Sequence, residues 1–310
     1  MHTSPPTTTM SMQWKGVMPA TVTVFNADMT IDLALMAEHG KWLIEHGCSA
    51  IIVHGSLGEG ATLDFQEKVS LQKTYVNAVP GTPIVPGIAA LTTREAVNLA
   101  KAAKDNGCGG LMVLPPFLYS SDWREMKTHM KAVISATDLP CVLYNNPVAY
   151  KTDFLPWQIK ELADELPNLL AVKESSTDAR RVAAITELCG DRLTIGVGVD
   201  DCALEGFAMG SKFWITGVGD AFPAYNVKLY EMAMAGKFAE AMPLYHWMLP
   251  LLRMDTVVKF VQLIKLQQTM ATKGRFCNNR VRPPRLELVG EELAQATAVI
   301  QHALDTAPAL

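Results

Sequence analysis

Lys173 closes the apolar run Leu169-Leu170-Ala171-Val172, which reads as a strand buried on both faces, and Glu174-Ser175-Ser176 follow it at once. A buried ammonium without a partner is costly, so such a lysine gives up its proton or lies in a polar pocket. A neutral amine in a pocket is a nucleophile, whereas a lysine that merely ends a strand snorkels to water. Two other segments supply what a nucleophilic amine would need. In His54-Gly55-Ser56-Leu57-Gly58-Glu59-Gly60, three glycines, a hydroxyl and a carboxylate make either an ordinary turn or a loop whose amides approach an anion closely. In Tyr144-Asn145-Asn146-Pro147 the phenol either packs or relays a proton. Amine, phenol and anion-binding loop together suffice for Schiff-base chemistry on a 2-oxo acid. The amine condenses with the keto carbon, the phenol moves protons, and the loop holds the carboxylate.

For these residues to meet, the elements must bring them to one place. Apolar runs rich in β-branched residues occupy 17–25, 50–54, 83–86, 111–114, 141–144, 169–172, 193–197 and 212–216. Segments of helical period lie between them, at 32–46, 64–79, 93–106, 121–137, 154–165, 178–189 and 201–209. Thr93 is expected to cap one helix, with Ala96 and Val97 on its inner face, and Ser121 with Asp122 to open the next. Gly47, Gly107 and Gly190 read as helix stops. Apolar strands alternating with helices imply a parallel sheet covered on both faces. Eight such units favour a closed (β/α)8 TIM barrel with an appended C-terminal helical segment. A doubly wound sheet would want Gly-x-Gly-x-x-Gly after its first strand, and Asn26-Ala27-Asp28 stands there instead. In a barrel, Tyr144 and Lys173 end adjacent strands about 4.8 Å apart at the rim that carries the reactive residues.

The expected organisation is a disordered Thr-, Ser- and Pro-rich tail over 1–12, a barrel over 13–220, and a closing helix with further helices packed on it over 221–310. The helical candidates there are 222–235, 238–252, 255–272 and 291–303. With 49% hydrophobic and 19% charged residues the 310-residue chain can bury a large core. A formal net charge of −4 leaves no electrostatic footprint for nucleic acid or an anionic membrane. No apolar run is long enough to span a bilayer, and the N-terminus lacks the pattern of a signal peptide. The expected partner is a small molecule. Six cysteines without a Cys-x-x-Cys pair argue against a zinc cluster or disulfide framework and suit a reduced, cytoplasmic compartment.

Gly55-x-x-Gly58-Glu59, Tyr144-Asn145-x-Pro147 and the Val172-Lys173-Glu174 strand end, in that order on eight βα units, resemble the dihydrodipicolinate synthase and N-acetylneuraminate lyase family of class I Schiff-base enzymes. The likeness runs from Trp14 to about Ala303. It implies Lys173 as the Schiff-base lysine, Tyr144 as the proton relay and Ser56 with the Leu57 amide as the carboxylate cradle. Gly55, Glu59, Asn146, Val199 and Asp200 complete the implied substrate-binding set. No metal or other cofactor is implied, and a homo-oligomer, tetramer or dimer, is. Three departures bear on the substrate. Leu57 stands where the synthase has a proton-relaying threonine, Ala149 or Tyr150 where it has an arginine, and Phe117 where it has a second tyrosine. Lys151 and Tyr119 are off-register substitutes.

A narrower likeness is to bacterial pyrroline-4-hydroxy-2-carboxylate deaminases. It rests on Gly198-Val199-Asp200-Asp201, 251–256, 259–262 and 281–286, with Asn146 and Val148. It implies attack by Lys173 on a ring imine carbon, ring opening, loss of the 4-hydroxyl as water, and release of ammonia and 2,5-dioxopentanoate. Asp255, Lys259 and Gln262 fall at helical spacing, which suits a functional row and a core or intersubunit face equally. Arg282-Pro283-Pro284-Arg285 reads as a rigid connector. The 58–63 run is also similar to hydratase-aldolases. Two further classes remain: a metal-dependent barrel using His54, Glu59, Glu174 and Asp200, and a binding barrel without chemistry.

Overall fold

The computed structural model describes residues 12–116 and 122–310. Eight short strands, β1 (Gly16–Pro19), β2 (Ile51–Val53), β3 (Ile84–Ile88), β4 (Leu111–Val113), β5 (Cys141–Asn145), β6 (Leu169–Glu174), β7 (Thr194–Val197) and β8 (Phe213–Thr216), pair in parallel in the order β1-β8-β7-β6-β5-β4-β3-β2. The seam between β1 and β2 is closed by a parallel bridge from Ala20 to Ile52 and by the Thr21 amide donating to Ile52 O at 2.9 Å. The expected (β/α)8 TIM barrel is the fold.

Two apolar layers follow from the period-2 alternation of strands. Trp14, Met18, Ile52, Val85, Met112, Val142, Ala171, Phe213 and Ile215 fill the barrel interior, and Met12, placed with the tail in the sequence, is buried among them. The alternate residues, among them Val17, Ile51, Leu143, Val172 and Trp214, pack outward against the helices. Tyr144 and Lys173 continue the inward rows set by Val142 and Ala171. Their period therefore carries an amine and a phenol into the mouth.

The helices are α1 (Leu33–Glu45), α2 (Phe65–Ala78), α3 (Thr93–Asp105), α4 (Trp123–Ile134), the single turn α5 (Pro147–Tyr150), α6 (Pro156–Glu165), α7 (Arg180–Cys189), α8 (Ala203–Ala208), α9 (Pro223–Met234), α10 (Phe238–Leu252), α11 (Phe260–Ala271) and α12 (Gly290–Asp305). Several expected boundaries move. The first strand does not run on to residue 25. Beyond Thr21 its amides turn to side chains, Val22 N to Asp220 Oδ2 at 2.8 Å and Val24 N to Met36 Sδ at 3.3 Å. Thr92, not Thr93, caps α3, accepting from Glu95 N at 3.2 Å. Asp122 caps α4, accepting from Glu125 N, while Ser121, Phe117 and Tyr119 lie outside the described residues.

The largest change is in the helix expected over 255–272. A 3-10 turn, Arg253–Thr256, follows α10, and α11 begins only at Phe260. Asp255, Lys259 and Gln262 thus share no helix face. Lys259 pairs with Glu292, and Gln262 donates to Leu286 O at 3.0 Å. Asp255 turns toward the barrel mouth.

Candidate active site

Strand register sets the centre of the site. Tyr144 on β5 lies directly opposite Lys173 on β6, and Lys173 opposite Gly196 on β7. The Lys173 side chain is 6% exposed, with Nζ 4.1 Å from the centroid of the Tyr144 ring. Burial pushes the amine down to about 8, against the pull of the Asp255 and Asp200 carboxylates. Room for the lysine comes from Gly198, where a Cβ would stand 2.1 Å from Ser175 Oγ and 2.4 Å from Lys173 Cε.

Tyr144 is oriented by its own strand end. Asn146 caps the α5 turn, its Oδ1 accepting from Ala149 N at 2.9 Å, and its Nδ2 donates to the Tyr144 hydroxyl at 3.0 Å. With an acceptor site filled, the phenol is set to donate. Burial pushes it up to about 12, opposed by the Asn146 hydrogen bond, so it rests protonated. Asn145 ties the two strand ends together, donating to Glu174 Oε2 at 3.1 Å and accepting from Phe154 N at 2.9 Å.

Across the mouth, the Gly55–Gly60 loop folds on itself. Gly60 N donates to Gly55 O at 3.0 Å, and a Cβ at Gly60 would sit 2.1 Å from His54 O, so only glycine fits there. Among the described residues the Ser56 and Leu57 amides meet no protein acceptor, as a carboxylate cradle requires. The Ser56 hydroxyl hydrogen-bonds the Tyr150 hydroxyl, and Tyr150 packs edge-on against Tyr144 with centroids 5.8 Å apart. A phenol therefore occupies the region that the synthase resemblance assigns to an arginine, and Ala149 is exposed. Leu57 is 4% exposed and brings only methyl groups.

Three expected substrate ligands have other places. Glu59 turns away from the mouth, because its carboxylate is needed by Lys265 Nζ at 2.6 Å, by Arg282 N at 3.0 Å and by Arg285 at 3.8 Å. Asp200 is fully buried: Oδ1 accepts from Trp214 Nε1 at 2.9 Å, and Oδ2 accepts from Thr216 Oγ1 and the Gly217 and Val218 amides at 2.9–3.0 Å. It shapes the turn after β8 and acts on Lys173 through charge. Burial raises it to about 6, against those hydrogen bonds and Lys173. Val199 lines a small cleft with Glu174, Ser176 and Cys202. Of the imagined metal ligands, His54 Nε2 is engaged with Gln72 Nε2 at 3.1 Å and Glu174 accepts from Asn145 and Ser176 N. Among the described residues no group of three or more His, Cys, Asp or Glu converges on one point.

The residue the sequence left undecided is Asp255. Its half-buried carboxylate reaches the end of β8: a Cβ at Gly217 would stand 2.3 Å from Asp255 Oδ1 and 3.1 Å from Leu57 Cδ2. Only the 3-10 turn after α10 brings it there, and no local pattern in the sequence marks that turn.

An amine and a phenol at adjacent strand ends of a parallel barrel, facing an amide-lined loop, form the arrangement a Schiff-base-forming lyase requires. Residues 13–303 match the model of the dihydrodipicolinate synthetase family. Relatives named 4-hydroxy-tetrahydrodipicolinate synthase include those of Acidithiobacillus ferrooxidans, 31% identical over 73% of this chain and 78% of theirs, and Cellvibrio japonicus, 32% identical over 76% and 82%. The crystal structure of a dihydrodipicolinate synthase from Bacillus anthracis superposes with a TM-score of 0.89 at 26% identity, covering 96% of this chain and 100% of that one. The chain belongs to the dihydrodipicolinate synthetase family, and it is a lyase of that family's aldolase type.

Proposed function

We propose that this protein is a class I Schiff-base lyase acting on a small 2-oxo acid or cyclic imine carboxylate, and that its substrate is pyrroline-4-hydroxy-2-carboxylate. The observation that carries the first part is the buried Lys173 amine over the Tyr144 ring. The Ser56 and Leu57 amides hold the substrate carboxylate, and the free amine of Lys173 attacks C2 of the ring imine. Tyr144 passes a proton to the departing ring nitrogen, the ring opens, and C2 remains as the lysine Schiff base. Loss of the 4-hydroxyl as water leaves a C3=C4 double bond; a C5 proton is then lost and one is gained at C3, moving the double bond to C4=C5, and protonation of this enamine at C4 turns the C5 amine into an imine. Two hydrolyses, of the C5 imine and of the lysine adduct, release ammonia and 2,5-dioxopentanoate. No cofactor is needed, since the protonated imine is the electron sink.

The substrate reading is supported by what surrounds the amine. A proton relay through residue 57 is impossible because Leu57 has no hydroxyl, and Ala149 and Tyr150 offer no cation to a second substrate. The alternative is 4-hydroxy-tetrahydrodipicolinate synthase or another pyruvate-dependent aldolase, and the names of the relatives favour it. Purified protein separates the two. Ammonia release from the cyclic imine, with no condensation of pyruvate and aspartate semialdehyde, is the expected outcome, and the reverse pattern would establish the synthase. Borohydride in the presence of substrate should add mass at Lys173, and Lys173→Ala should abolish both adduct and turnover. We further place the protein in the cytoplasm, in keeping with six free thiols, as a homo-oligomer, a tetramer or dimer. Sedimentation equilibrium checks the latter.

A further inference from the structure

Asp255 is placed by the C-terminal helices rather than by the barrel. The turn that carries it packs against the Asp200–Cys202 turn after β7, and its Oδ1 lies over Gly217 at the end of β8, next to the Leu57 methyl groups. Lys173 and Tyr144 both feel its charge, while burial and the neighbouring Asp200 carboxylate raise Asp255 well above the usual carboxylate range, against the pull of Lys173. Asp200 has both oxygens filled by protein donors, Trp214, Thr216, Gly217 and Val218, whereas among the described residues no donor meets the Asp255 carboxylate. Part of its side chain remains exposed. A carboxylate that no protein donor fills, at the apolar wall of a Schiff-base site, is available to the substrate.

Resting on the lyase reading above, we infer that Asp255 is the base that takes the C3 proton of the lysine Schiff base and returns it to the leaving hydroxyl. In the protonated imine of a 4-hydroxy-2-oxo acid, a C3–H bond breaks, its proton goes to an Asp255 oxygen, and its electron pair forms the C2=C3 bond of an enamine. The enamine then restores the imine, forms C3=C4 and expels the C4 oxygen, which leaves as water with the proton from Asp255. One water is lost and the carboxylate is regenerated. Tyr144 is thereby kept for the steps at nitrogen. The assignment also gives the appended helices a chemical task.

The test uses the whole protein with pyruvate, which forms the Schiff base yet has no hydroxyl to lose. Borohydride trapping reports imine formation, and exchange of the methyl hydrogens for deuterium, followed by NMR, reports C3 proton removal. The expected result is that Asp255→Asn traps pyruvate within about twofold of the unaltered protein while exchange falls at least 100-fold, and that Asp255→Glu recovers part of the exchange. Exchange at the original rate in Asp255→Asn overturns the assignment. So does a parallel fall of trapping and exchange by the same factor, which would make Asp255 a support for Lys173. If the unaltered protein traps no pyruvate, the lyase reading itself fails and this assignment fails with it. Trapping without exchange in the unaltered protein removes the base and leaves the lyase.

Discussion

At the scale of single residues the site is governed by what burial does to two groups in opposite directions. A lysine held near 8 gains its nucleophilic free-base form as pH rises through that value, so kcat/KM should climb on the acid side and level off above about pH 8. An acid limb that levels off at clearly lower pH would mean that Lys173 is less desolvated than its burial indicates. The same depressed value makes the folded state bind fewer protons than the unfolded chain between about 8 and 10.5, so this lysine's burial penalty is relieved as pH rises through that window. Tyr144 is pushed the other way and stays a proton donor. Tyr144→Phe should leave Lys173 competent to trap substrate slowly while turnover falls by roughly 10²- to 10⁴-fold, the usual contribution of a positioned proton-transfer group. Single-turnover kinetics distinguish the two steps.

At the scale of elements the strand ends do the positioning, and two glycines on and after β7 separate chemistry from stability. At Gly198 an added methyl meets Lys173 Cε and Ser175 Oγ, side-chain atoms that can shift. Gly198→Ala should therefore cut borohydride trapping strongly while the melting temperature changes little. At Gly196 the methyl would sit 2.1–2.3 Å from the Phe213 ring, inside the packed barrel. Gly196→Ala should instead lower the urea midpoint, by about 1–3 kcal/mol of stability as for other overpacked cores. The helix boundaries matter as much. Had α11 begun at 255, Asp255 would lie in a helix rather than in the turn that reaches over β8.

At the scale of the whole molecule the C-terminal helices are locked to the barrel by a buried ion pair. Glu59 and Lys265 are both fully buried and 2.6 Å apart, Lys265 also donates to Arg280 O at 2.6 Å, and Arg282 reaches Glu67 and the Glu59 carboxylate. Removing one partner strands the other charge. Glu59→Ala should cost about 3–5 kcal/mol by urea denaturation, and the double variant Glu59→Leu, Lys265→Met should regain most of it. If the double variant is no better than the single one, the pair is not what holds the helices. Because these helices also carry Asp255, a loosened lock should lower C3 exchange before the barrel melts.

The sequence by itself determined the barrel and the pairing of a lysine with a tyrosine at its mouth. Strand, helix and inward row are set by local period, so eight apolar runs, and a lysine and tyrosine at the ends of adjacent ones, were legible without coordinates. The glycine loop was equally plain in composition, yet the direction of Glu59 was not, because Lys265 lies 206 residues away and only the packed fold brings the two charges together. The overlong first strand failed for a related reason: Asp220 and Met36 take amides that the sequence would assign to a neighbouring strand. Asp255 shows the limit most clearly. Its spacing suggested a helix face, and tertiary packing of a short turn against the end of β7 put a carboxylate over the mouth instead, since the position of a turn far along the chain depends on contacts that no local pattern encodes.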